Sequence, residues 1–295
     1  MIASEPNTTT TANTGIPRPG YKILKDQVKD NYLIENGYVV LDILNHEQVA
    51  FFKELYHKWH PTPPDSFYKS YFSNNLEYKK EIEDAIMQYC LPVISEQFYD
   101  FNAFGAMFVV KPKGDSGHIP PHQDWSFVDE TQHWSLNMWL PIQDVEERSG
   151  TMRFLKGSHF FLETIRGANT PELYNHLEEP IMNNLVDVPL KAGQAVFFYH
   201  GIVHCSHFNE RNEERVCLGL SLTQKDAPIY FHYLKEGETM AEKFCVQPSF
   251  FLYYAHNRHL APENATTMGI DTRPFAKLST EQLLEKINHT KPTMQ

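Results

Sequence analysis

The sequence predicts a mainly β protein, a double-sheet jelly roll with helices packed outside one sheet. Three observations carry this expectation. Across residues 105 to about 234, short runs rich in Val, Ile, Phe and Tyr alternate with Gly, Pro, Asp and Asn, the punctuation of many short strands. Ahead of that block, apolar residues recur at helical spacing. Inside it the alternation is imperfect, as in Ser135-Leu136-Asn137-Met138-Trp139-Leu140, which suits strands covered on both faces.

Residues 1 to about 20 form a Thr/Asn/Pro-rich arm with too little apolar surface to order itself, so a flexible arm is expected. Residues 21–295 read as a single domain whose jelly-roll core spans about 100–235. Tyr38–Asp42 has the composition of a short strand, and Asn45 with Gln48 three positions on resembles a capping box. Val49, Phe52, Leu55, Tyr56 and Trp59 then line one helical face, and the Pro-rich stretch 60–65 ends it. A second amphipathic segment carries Ile82, Ile86, Tyr89, Cys90, Val93 and Ile94, with Pro92 expected to kink it. Strands are expected over 106–110, 134–141, 151–155, 186–190, 195–199, 215–223 and 229–233, interrupted by a helical or loop insertion at 162–184. In the tail, the run Phe250-Phe251-Leu252-Tyr253-Tyr254 is too aromatic to be left in solvent, and Ser279 to Gln282 caps a short helix. This tail is expected to pack on the core or on a dimer partner; monomer and homodimer both fit.

Bulk properties narrow the function. Hydrophobic residues make up 41% and charged residues 21% of the 295, an ordinary globular composition. A formal net charge of −11 argues against nucleic-acid and anionic-membrane partners, which select basic faces. The N-terminus lacks a basic n-region and an apolar h-region, so a cytoplasmic location is expected. Cys90, Cys205, Cys217 and Cys245 are widely spaced with no C-x-x-C pair, which suggests neither a zinc ribbon nor a disulfide framework.

The chemistry is concentrated in Pro121-His122-Gln123-Asp124 and, far downstream, Val203-His204-Cys205-Ser206. Two imidazoles and one carboxylate can occupy one face of a metal and leave the opposite positions open, an arrangement that suits non-haem Fe(II). H-x-D spacing would put both side chains on one side of a strand, and the third ligand would come from a neighbouring strand. His200 and His207 compete with His204 for that third place on residue type alone.

In order and spacing, His122/Asp124, Gly150, Gly157-Ser158-His159, Gly193-Gln194, His204/Ser206/Asn209 and Arg215 resemble the phytanoyl-CoA dioxygenase family of Fe(II)/2-oxoglutarate oxygenases. The resemblance covers about residues 100 to 225 and implies a double-stranded β-helix, cupin-like core. It favours His204 as the third ligand, because neither rival combines Ser two residues on with Arg eleven residues on. It further implies Fe(II), 2-oxoglutarate and O2 as cofactor and cosubstrates, with ascorbate as an in vitro reductant. Arg215 offers a planar fork for the distal carboxylate of 2-oxoglutarate, with Arg211 as its fallback. Ser206, Trp139 and Asn137 are the companions expected at the same cosubstrate. Asp124 stands where related halogenases carry Gly or Ala, so oxygen chemistry is expected rather than halogenation.

The expected reaction is oxidation, by default hydroxylation, of a C–H bond in a small metabolite; desaturation, epoxidation and ring closure share the same requirements. Trp125 and Phe127 after the H-x-D, together with Phe104, are expected to contact substrate, and parts of residues 67–72 and the aromatic tail are expected over the mouth of the metal site. Their aromatic character points away from coenzyme A, whose phosphates need a basic cluster, and toward a specialised-metabolite or amino-acid-derived substrate. The alternatives are a non-catalytic jelly-roll binding or regulatory protein, and a cupin-like metalloenzyme that does not use 2-oxoglutarate.

Overall fold

The computed structural model describes residues 20–114, 117–161 and 164–290. The expected N-terminal arm therefore lies outside the described residues, Gly20 apart. Six α-helices and twelve strands occur in chain order among the described residues: α1 (Gln27–Asn36), β1 (Tyr38–Asp42), α2 (His46–Trp59), β2 (Tyr68–Lys69), α3 (Leu76–Gln97), β3 (Phe101–Lys111) and β4 (Ser135–Pro141). Then come β5 (Met152–Phe154), α4 (Glu178–Met182), β6 (Val186–Val188), β7 (Gln194–Tyr199), β8 (His204–Ser206), β9 (Arg215–Gln224) and β10 (Ile229–Tyr233). The tail adds β11 (Ala241–Val246), α5 (Phe250–Tyr254), β12 (Thr266–Asp271) and α6 (Thr280–Thr290).

The strands form a six-stranded sheet in the order β1-β7-β4-β9-β3-β2, a small sheet β6-β5-β8 and a third sheet β10-β11-β12, all antiparallel. This is the mainly β jelly roll with flanking helices. Side-chain alternation divides the large sheet into two faces. Leu136, Met138 and Leu140 of β4, Ala195 and Phe197 of β7, and Leu218, Leu220 and Leu222 of β9 pack with Phe52 and Tyr56 of α2 and Ile82, Ile86 and Ile94 of α3. The opposite face carries Trp139, Val196, Phe198 and Cys217, which pack against Met152 and Phe154 of the small sheet. Both faces are covered, which is why these strands read as nearly continuous apolar runs.

Local signals hold where they are strongest. Asn45 and Gln48 form a reciprocal capping box, each side chain accepting from the other's backbone N–H at 2.9 Å. Ser279 and Gln282 do the same ahead of α6. Pro92 lies inside α3, which continues to Gln97 rather than ending there. The 162–184 insertion contains a short 3-10 turn (Asn175–Leu177) running into α4, with residues 162 and 163 outside the described residues.

One expectation needs correction. The H-x-D segment is not a strand: His122 makes one isolated bridge to His204, and Gln123 to Phe127 have no regular secondary structure. The tail is regular over β11, α5, β12 and α6. It completes a sheet and stacks its aromatic run as α5 against Phe104 and Phe231 on the core itself.

Candidate metal centre

His204 enters from β8, and the lone bridge aligns His122 beside it through His122 N–H to His204 O and His204 N–H to His122 O, both 2.9 Å. Each imidazole donates its Nδ1 hydrogen to the carbonyl two residues before it, Pro120 for His122 at 2.9 Å and Ile202 for His204 at 3.0 Å. That pairing fixes the tautomer and leaves each Nε2 with a free lone pair, as a metal ligand requires. The ring centroids are 4.3 Å apart. The Asp124 carboxylate completes the group, and one donor atom from each of the three lies within 4.8 Å of the others.

Electrostatics keep this donor set in its metal-competent protonation state. Burial pushes His122 down to about 4, with His204 adding to the shift, and burial also lowers His204. Burial alone would raise the Asp124 carboxyl, but His204, Lys69 and His122 around it hold it well below the usual carboxylate range. Two neutral imidazoles and one carboxylate are what a borderline-hard divalent ion such as Fe(II) takes.

A web of donors aims the carboxylate. Asn137 on β4 donates Nδ2 to Asp124 Oδ2 at 2.9 Å. Arg166 donates Nε to the Asp124 carbonyl at 2.7 Å, and its two terminal nitrogens clamp both oxygens of Glu130 at 2.8 and 2.7 Å. Arg166 and Ser126 are further joined by Arg166 N–H to Ser126 Oγ and Ser126 N–H to Arg166 O. The loop carrying Asp124, Trp125 and Phe127 is thereby fastened along its length.

Two adjoining chambers share Lys69, Met107, Ile119, His122, Asp124 and Asn137. The inner one, about 60 Å³, is lined further by His204, Ser206, Trp139 and Arg215. Arg215 is 2% exposed and stacks over the Trp139 ring at 4.9 Å. One terminal nitrogen donates to the Gly150 carbonyl, while Nε has no hydrogen-bond partner and no carboxylate pairs with the group among the described residues. Buried Lys111 lies behind it and donates to the His207 carbonyl at 2.7 Å. Burial, reinforced by Arg215, pushes this lysine down to about 7. Arg215 and Lys111 are both buried with no acidic partner among the described residues, a costly arrangement that fits a carboxylate-bearing ligand. Gly219 lies directly opposite Trp139 across β4 and β9, and a Cβ there would lie 3.3 Å from Met107, so glycine preserves the chamber's floor.

The outer chamber, about 370 Å³, is walled by aromatic rings. Phe104 stacks on Phe251 at 4.8 Å, Phe127 meets both edge-on at 5.3 and 5.1 Å, and Trp125 contacts Phe231 at 5.8 Å. All three residues expected to contact substrate thus line one cavity next to the metal ligands. His200 lines it too, with Nδ1 at 2.7 Å from Ser135 Oγ and Nε2 at 3.3 Å from Ser221 Oγ. Burial pushes it down to about 4.

The rivals do not join the donor group. His200 is outside the three-residue group, His207 pairs with Asp187 at 2.9 Å, and Arg211 is paired with Glu146 at 2.7 Å. Sequence reasoning missed Arg166 and Arg258 as parts of this site. Lys69 and Phe251 lie in the two stretches, residues 67–72 and the aromatic tail, expected over the mouth of the metal site, and both line the outer chamber. Arg166 gives no local signal, because its partners are 36 and 42 residues away.

Among curated proteins, the chain is similar to a phytanoyl-CoA dioxygenase of Arabidopsis thaliana, 25% identical over 124 residues, 41% of this chain and 44% of the relative. It is 29% identical over 119 residues to phytanoyl-CoA dioxygenase domain-containing protein 1 of Danio rerio, 37% of this chain and 40% of the relative. The chain spans less than half the length of either. Among solved structures, EvdO2 from Micromonospora carbonacea var. aurantiaca superposes with a TM-score of 0.49 at 15% identity, over 68% of this chain and 91% of that one. The phytanoyl-CoA dioxygenase (PhyH) family profile matches residues 36–217, which takes in the three clustered donors and Arg215, and the chain belongs to that family.

Proposed function

We propose that the protein is an Fe(II)- and 2-oxoglutarate-dependent dioxygenase that oxidises, by default hydroxylates, a C–H bond of a small molecule. The observation that carries this reading is the two-chamber arrangement: a His122–Asp124–His204 donor face borders a small pocket holding a buried arginine without a carboxylate partner. Family membership supports the same reading.

In this reading His122, Asp124 and His204 hold the metal through Nε2, a carboxylate oxygen and Nε2. When bound, iron with 2-oxoglutarate supplies O2 activation coupled to decarboxylation to succinate. Arg215 receives the distal carboxylate of the cosubstrate as a bidentate, charge-assisted contact. Trp139 holds the guanidinium flat from one side, and Ser206 presents a hydroxyl to the same pocket. Asn137 serves the cosubstrate indirectly, by setting the rotation of the Asp124 carboxylate. Trp125, Phe127 and Phe104 exclude water and position the substrate in the outer chamber, where displaced water strengthens every polar contact.

The test is succinate formation from 2-oxoglutarate with Fe(II) under air, in wild type and Asp124→Ala, across a metabolite panel read for mass gains of about 16 (hydroxylation) or losses of about 2 (desaturation). No succinate above the Asp124→Ala background, with or without panel compounds, rules the reading out in favour of a binding protein or a metalloenzyme independent of 2-oxoglutarate.

A further inference from the structure

The far wall of the outer chamber is built from the C-terminal segment, beyond residue 217 where the family match ends. It carries an unused charge. Arg258, in the turn after α5, places its guanidinium 3.7 Å from the centre of the Phe72 ring. It makes no ion pair among the described residues, and its partial burial pushes its pKa down from the ordinary arginine value. Arg258 lines the outer chamber and not the inner one, whereas Arg215 lines the inner and not the outer. The two arginines therefore serve different molecules.

We propose that the outer chamber binds an apolar, ring- or chain-bodied monocarboxylate whose acid group meets Arg258 and whose body lies among Phe104, Phe127, Phe231 and Phe251. The volume of about 370 Å³ falls in the range of small-molecule sites. Its cations are Lys69 and Arg258, too few for the several phosphates of coenzyme A. A guanidinium already stacked on an aromatic ring keeps its edge donors for a carboxylate and loses little freedom on binding it. Anchoring the acid at the Arg258 wall leaves the opposite end of the molecule to face His122 and Asp124. Glu172 also lines the cavity, but as an exposed residue. This inference rests on the proposed function only for the fate of the bound molecule; the binding is separable.

The test titrates phenylalkanoates, phenylacetate to 6-phenylhexanoate, into the full chain by calorimetry, beside the matching amides and amines. The titrations are run with and without Ni(II) and 2-oxoglutarate. The expected result is about tenfold tighter binding of the best acid than of its amide. That preference persists with Ni(II) and 2-oxoglutarate present and disappears in Arg258→Gln, while Phe251→Leu weakens acid and amide by the same factor. Four results overturn the proposal: acids no tighter than amides anywhere in the series, amines tighter than acids, a preference surviving Arg258→Gln, or one abolished by Ni(II) with 2-oxoglutarate. If 2-oxoglutarate itself fails to bind the Ni(II)-loaded protein, the proposed function falls, and the acid–amide comparison still decides this one.

Discussion

Arg166→Met keeps an unbranched apolar stem and removes every donor the side chain uses. The wild-type side chain is 7% exposed and makes four hydrogen bonds, to the Asp124 carbonyl, the Thr164 carbonyl and both Glu130 oxygens. Removing one partner of a buried ion pair costs about 3–5 kcal/mol. Glu130 is 29% exposed and recovers some hydration, so we expect about 2–4 kcal/mol of lost stability. The more diagnostic effect is at the metal. The Asp124 carbonyl loses its anchor, the loop gains freedom, and metal affinity should fall about 10- to 100-fold, the range for residues that orient ligands without touching the ion. Urea unfolding gives the stability, and Co(II) or Mn(II) titration of the folded protein gives the affinity. Arg166→Met combined with Glu130→Gln should recover part of the stability, because no unpaired carboxylate remains, yet little of the metal affinity. Unchanged metal binding in the single variant, with the full stability loss, would refute the view that Arg166 positions Asp124.

Other perturbations separate the remaining parts. Arg215→Met should weaken 2-oxoglutarate binding about 10- to 150-fold with little change in metal affinity; an unchanged titration would move the anion role away from β9. His122→Ala, Asp124→Ala and His204→Ala should each lose most metal binding while keeping the wild-type far-ultraviolet spectrum, and a fully metal-competent His204→Ala would reassign the third ligand. Lys111 has a folded pKa of about 7 against an ordinary 10.5, so between those values the unfolded chain binds the extra proton. Its contribution to stability is therefore complete above about pH 10.5 and lost as pH falls toward 7, with a slope of up to about 1.4 kcal/mol per pH unit. Lys111→Met should flatten that slope in urea midpoints at pH 7, 8 and 9; parallel wild-type and variant curves would show that Lys111 titrates normally.

The parts legible in the sequence are those whose signal is local. β9 is a ten-residue strand opened by Arg215 and dominated by apolar residues, and any reading of strand composition finds it. The metal donors are legible because residue type and spacing both narrow the choice, although H-x-D works here for a reason other than strand geometry. A lone bridge and a clamped loop bring His122 and Asp124 together, not the pleat of a strand. The parts that escape have their cause far away in sequence. Helix α1 buries only Asp30 and Leu33, so it has no apolar stripe to detect. Strand β12 is exposed at every residue except Asp271 and is held by pairing with β11 rather than by burial. The stacking of Phe251 on Phe104 joins residues far apart in the sequence, which no window along the chain can see.

The division of labour between the chain up to β9 and the segment after it has an evolutionary consequence. His122, Asp124, His204 and Arg215 all precede the end of β9, whereas Phe231, Phe251 and Arg258 come after it. The reactive hardware and the far wall of the outer chamber therefore occupy successive stretches of polypeptide. Mutations accumulating in the later stretch can reshape which molecules are accepted while the earlier one keeps its donor geometry. Exchanging residues 225–290 between relatives is then a way to transplant selectivity as a cassette, with the metal centre inherited unaltered from the recipient.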